Sequence, residues 1–95
     1  MEERLIWDEA KRENNLAKHG LDFADAWWVL DSLYRLEIEG LRGSEPRFQS
    51  FSYVAEVMAV LTVVHTTRDG AIRIISFRPA SGEECEAYYE WLESE

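Results

Sequence analysis

An Asp69-Gly70 pair separates two apolar tracts, residues 57–67 and 71–78, and this pairing leaves the chain few alternatives. Asp-Gly readily takes the left-handed backbone that a two-residue hairpin turn requires. The tracts therefore predict an antiparallel hairpin, ended by Pro79, which cannot donate to a strand ladder. Counting outward from the turn, Thr66 faces Arg73, His65 faces Ile74, Val64 faces Ile75, Val63 faces Ser76 and Leu61 faces Arg78. Alternation then groups His65, Val63, Leu61, Ile74, Ser76 and Arg78 on one face. Arg73, Thr66, Thr62, Val64, Ile75 and Phe77 take the other. On that register Arg73 and Arg78 do not meet. A bulge would change the grouping, and which arginine points outward is left open.

The remaining elements follow from periodicity and caps. Asp8 is placed to cap a helix over residues 9–18, and Gly20 to close it. Asp22 can cap a second helix, on which Phe23, Ala26, Trp27 and Leu30 form one apolar stripe. Tyr34, Leu36 and Ile38 alternate with Arg35, Glu37 and Glu39, the two-residue period of a half-buried strand. Residues 40–46 read as a loop and residues 47–54 as another strand, with a turn near Ala55-Glu56. Ser81, with Glu84 three residues on, is a capping-box pattern for a last helix over residues 82–92. The expected fold is α+β: two N-terminal helices, a four-stranded antiparallel sheet and a C-terminal helix.

Ninety-five residues predict a single domain over residues 1–95. One cysteine, Cys85, excludes an internal disulfide and a multi-cysteine zinc site. No charged leader precedes a long apolar run, so neither a signal peptide nor a membrane span is expected, and the cytoplasm is the expected compartment. The net charge of −9 is unevenly spread. Six glutamates and no base lie between Glu83 and Glu95, which leaves thirteen acids against ten bases in the rest, a net −3. Nucleic-acid binding by bulk electrostatics is thereby excluded, and any such contact must use a local basic cluster.

Several weak motifs occur in a fixed order: Trp7-Asp8, Lys11, Lys18-His19-Gly20, Phe23, Arg47-Phe48, Arg73-Ile74-Ile75-Ser76, Arg78 and Ala80. Over roughly residues 5–88 the chain resembles the BrnT family, the toxin half of a bacterial type II toxin–antitoxin pair. The resemblance implies a RelE-like fold and an mRNA endoribonuclease that needs no metal or other cofactor and cuts by 2′-hydroxyl attack. It also implies neutralisation by a BrnA-type ribbon-helix-helix antitoxin, with DNA contacted through that partner. A catalytically weak BrnT-like module that only holds its antitoxin is the alternative, and an unrelated small α+β interaction domain is a third.

Such a ribonuclease needs a base for the 2′-hydroxyl proton, an acid for the leaving 5′-oxygen and cations for the charge that builds on the phosphate. Arginine suits the last role because its planar fork pairs with phosphate oxygens. The resemblance implicates Arg78 and Arg73, with Lys18 and His19 contributing from the end of the first helix. His65, His19, Lys18 and Tyr88 are the candidates for proton transfer. Arg68, Trp7, Glu84 and Tyr88 are candidate contacts for substrate or partner.

Each candidate has a plainer role open to it. Arg78 can pair with Glu83 or Glu84, and His65 can be a hydrogen-bonded structural histidine. Lys18 and His19 complement a helix dipole. Trp7 and Tyr88 can be packed, and nothing near Cys85 suggests an activated thiol. The glutamate row of the last helix is either a solvated face or a docking surface for a basic antitoxin segment.

Overall fold

The first helix, α1 (Glu9–His19), begins and ends where local chemistry dictates. Asp8 is extended and its carboxylate accepts from the Lys11 amide at 3.1 Å. Gly20 takes a left-handed φ of 72° and its N–H donates to the Leu16 carbonyl, the orphan-group solution at both ends of a helix. The computed structural model describes residues 3–94. Within them α1 has no buried residue, so apolar packing alone does not anchor it.

A short strand, β1 (Leu5–Ile6), precedes α1, and β2 (Leu36–Arg42), β3 (Glu45–Val54), β4 (Ala59–Arg68) and β5 (Ala71–Pro79) follow. The sheet order is β1-β5-β4-β3-β2. The expected four-stranded antiparallel sheet is thus a five-stranded mixed one. β1 adds in parallel to β5, pairing Leu5 with Ile72 and Ile6 with Arg73. Two residues carry too little periodicity to announce such a strand. Beyond it the β5 edge is taken up by a side chain. Asn15 of α1 donates to the Phe77 carbonyl at 2.7 Å and accepts from the Phe77 N–H at 3.3 Å. The amide imitates a neighbouring strand and satisfies both backbone groups.

The second helix is shorter than expected. Asp22 accepts from the Ala24 amide, but the chain forms a 3-10 turn over Phe23–Ala26 and then one α turn, α2 (Trp27–Leu30). Three residues per turn align Phe23, Ala26 and Val29. All three are buried, whereas Trp27 is only half-buried.

The predicted loop over residues 40–46 is instead the end of a hairpin. β2 and β3 pair as far as Arg42 and Glu45, and Gly43 supplies the left-handed residue of the turn at φ 62°. The next turn spans Ala55 to Met58, whose φ is 54°, so β4 starts at Ala59. Asp69 and Gly70 have φ of 53° and 77°, the expected two-residue turn. The last helix, α3 (Gly82–Glu93), carries the reciprocal Ser81–Glu84 capping box.

Two cores sit on opposite faces of the sheet. Phe23, Ala26, Val29 and Leu30 pack with Leu61, Val63, Ile74 and Phe77 on one face. On the other, Tyr88 of α3 packs on Phe51 and Val60, with Leu36, Trp91 and Leu92 around them. The second cluster is smaller, and α3 covers only one end of its face.

The pairing of β4 with β5 follows the expected register only next to the turn. Thr66 pairs with Arg73 and His65 with Ile74. A register shift follows, so that Val64 pairs with Ser76, Val63 with Phe77 and Thr62 with Arg78. Ile75 is the extra residue of a β-bulge. This corrects the face assignment. Phe77 joins Val63 in the first core, and Arg78 and Ser76 move to the side of Arg73.

Candidate functional site

The bulge decides which cations share a surface. Thr62, Val64 and Thr66 alternate along one face of β4, and Arg78, Ser76 and Arg73 stand opposite them. Arg68 continues that row. On β3 and β2 the same face carries Gln49 opposite Val64, Arg47 opposite Gly40, and Arg42 opposite Glu45. Arg42, Arg47, Arg68, Arg73 and Arg78 therefore lie on one side of the sheet, half of the ten basic residues in a chain of net charge −9. Toward the Asp69-Gly70 end, this face extends beyond the α3 contacts.

The five guanidinium groups are not equally available. Arg78 forms a two-pronged pair with Glu84, Nη1 to Oε1 at 2.8 Å and Nη2 to Oε2 at 2.9 Å. Glu84 Oε1 also accepts from the Ser81 N–H at 2.8 Å. The Arg78 hydrogen bonds hold the Glu84 carboxyl down at about 2, with the Ser81 N–H assisting and burial opposing. The same hydrogen bonds raise Arg78. Arg68 reaches Glu45 at 3.3 Å, and Arg47 approaches the same carboxylate at 3.9 Å. Among the described residues Arg73 and Arg42 form no ion pair.

Lys18 and His19 end α1 beside the β5 edge. With Lys11, Asn14 and Asn15 they line a shallow cleft of about 230 Å³ whose sheet side is Ile75 and Ser76. Ser76 belongs to this cleft and also stands between Arg73 and Arg78 along β5. Four of the residues expected to carry chemistry (Arg73, Arg78, Lys18 and His19) thus converge on the bulge. Ser76 and Lys11 join them, although the sequence did not single these out as site residues, while Arg42 and Arg47 lie farther across the same face on β2 and β3. Ser76 lies within the ordered motif 73–76, but the bulge that sets it between the two arginines on one face leaves no mark in the hydrophobic pattern.

His65 is not part of this assembly. It projects from the opposite face, 6% exposed, beside Arg35, Glu37 and Phe48. Its Nε2 lies 2.9 Å from Ser50 Oγ, and its ring stacks on Phe48 at 5.5 Å. Burial lowers its pKa; nearby Glu37 opposes this and Arg35 adds to it. Trp7 packs edge-on against Phe23, and its indole N–H donates to Glu9 at 3.2 Å. Tyr88 is buried, its hydroxyl donating to the Tyr34 carbonyl at 2.8 Å and accepting from the Tyr53 N–H at 3.2 Å. Glu83, Glu86, Glu90 and Glu93 are exposed along α3, and Glu95 lies outside the described residues.

Among the described residues no group of three His, Cys, Asp or Glu side chains is arranged to hold a metal ion. No described helix is long and apolar enough to cross a membrane. A family model described as "Ribonuclease toxin, BrnT, of type II toxin-antitoxin system" matches residues 7–84. No curated protein matches the chain.

Proposed function

Because this chain belongs to the BrnT family of ribonuclease toxins of type II toxin–antitoxin systems, we propose that it cleaves mRNA on the open, arginine-bearing face of its sheet. The observation that carries this reading is the bulge at Ile75. It sets Arg73, Ser76 and Arg78 on one face, beside the cleft of Lys18 and His19. Single-stranded RNA needs a local cationic track, and in an acidic chain this face supplies one.

The chemistry requires no more than these groups can offer. Arg73, which has no carboxylate partner among the described residues, presents its fork to the phosphate and stabilises the charge of the transition state. The imidazole of His19 and the amine of Lys18 are the groups in the cleft able to exchange protons with the 2′-hydroxyl and the leaving 5′-oxygen. The 2′-oxygen bonds to phosphorus as the bond to the 5′-oxygen breaks, leaving a 2′,3′-cyclic phosphate and a 5′-hydroxyl. No metal ion takes part in this scheme. Arg78 has its fork occupied by Glu84 and acts as an oriented positive charge at the margin.

A type II toxin implies an antitoxin. We take that partner to be a BrnA-type ribbon-helix-helix protein, which also contacts the operon DNA, and the compartment to be the cytoplasm. The exposed glutamates of α3 suit a basic segment of that partner. A second reading, an antitoxin-binding module with weak cleavage, is favoured by the neutralisation of Arg78. Expression of the chain alone in bacteria separates the two. Growth arrest relieved by the neighbouring reading frame and lost in Arg73→Ala supports the enzyme; harmless expression of the folded protein supports the module.

A further inference from the structure

Next to the arginine track, the same sheet face holds a second cavity, of about 270 Å³. Its floor is Gly40, its apolar lining is Ile38, Leu41 and Val64, and its polar lining is Gln49, Arg47, Arg42 and Glu39. Cross-strand register fixes the arrangement: Gln49 sits between Ile38 and Val64, and Gly40 stands opposite Arg47. We infer that this cavity is a purine-binding subsite that sets the sequence preference of cleavage. The inference rests on the ribonuclease reading given above and adds the base that the site selects.

Three observations converge on a planar heterocycle. The volume is below that of a site for a drug-sized ligand, which leaves room for one base. Two β-branched aliphatic side chains, Ile38 and Val64, flank Gln49 and offer an apolar surface on which a flat ring can lie. Arg47 carries a buried Nε that has no acceptor among the described residues, and its fork approaches Glu45 only at 3.9 Å. A guanidinium fork pairs with the two acceptors on the outer edge of a purine, and the Gln49 amide both donates and accepts there. Sequence-specific recognition of single-stranded RNA works in this way, by splaying a base into a pocket that hydrogen-bonds its edge.

Gly40 strengthens the assignment. A Cβ built there meets nothing within 4 Å, so a larger side chain is accommodated by the fold and projects into the cavity. The missing side chain opposite Arg47 keeps the space open.

The test uses short RNAs that differ at one nucleotide beside the cleaved bond, with kcat/KM as the readout. The same series made with 2′-O-methyl sugars is read by fluorescence anisotropy, so base selection is measured even without cleavage. Wild type is expected to favour a purine at one position by about tenfold, as one well-formed pairing provides. Gln49→Ala and Gly40→Leu should reduce that ratio to near one, while an all-pyrimidine RNA is handled about as by wild type. A wild-type ratio near one in the anisotropy series would overturn the subsite. So would an unchanged ratio in both variants. Purine selection in binding without any cleavage would retain the subsite and reject the ribonuclease reading.

Discussion

Replacing Glu84 with Gln isolates the ion pair that links β5 to α3. The side chain keeps its length and can still accept from the Ser81 N–H, so the change is mainly one of charge. A carboxyl held at about 2 against an ordinary 4.5 corresponds to about 3 kcal/mol of linked stability as an upper bound. Both partners are roughly a quarter exposed, and solvent screening reduces the expectation to about 1 kcal/mol. The folded-state pKa lies below the unfolded one, so the contribution is complete above about pH 4.5 and fades as the pH falls toward 2. Urea unfolding of both proteins from pH 7 to pH 2.5 should show a gap of about 1 kcal/mol that narrows only below about pH 4.5. The variant also frees the Arg78 fork, so RNA binding should tighten and its salt dependence steepen by about one counterion. A stability gap undiminished at pH 2.5 would refute the reasoning, because the loss would then be one of packing and not of charge.

Asn15→Leu removes the side-chain bonds to the Phe77 N–H and carbonyl. It should cost about 1–3 kcal/mol in chemical denaturation, with faster amide exchange at Phe77. His65 is held neutral by burial, its folded pKa below its unfolded one, so wild type should lose stability as pH falls below about 6.5. His65→Gln should flatten that part of the pH profile in thermal melts. It should leave RNA cleavage at pH 7 within about threefold of wild type, since the side chain lies on the other face.

What could be read in the sequence was local. Asp8, Gly20, Asp69-Gly70 and the Ser81–Glu84 box each settle their own backbone through contacts a few residues away, and each stands as expected. What could not be read depends on partners remote in sequence. Leu5 and Ile6 become a strand only because β5 offers them a free edge. The 3-10 turn at Phe23 brings Val29 fully into the core and leaves Trp27 half-buried against it, a choice set by how the turn fits the sheet. Ile75 matters most. Apolar residues on both sides of β5 hide a one-residue slip, since either register buries isoleucines. That slip determines whether Arg73 and Arg78 are separated or share a face, so the candidate residues were identifiable while their assembly was not. The acidic total charge was similarly uninformative, because it averages a glutamate-rich α3 with an arginine-rich sheet face.

The most direct test of the bulge-centred site is cleavage of a single mRNA by purified wild type and Arg73→Ala, with a chelator present and unfolding curves recorded for both. The account predicts 2′,3′-cyclic phosphate ends from wild type and a loss of about 100-fold in kcat/KM in the variant, with stability changed by less than about 0.5 kcal/mol. Undiminished cleavage by Arg73→Ala would contradict it.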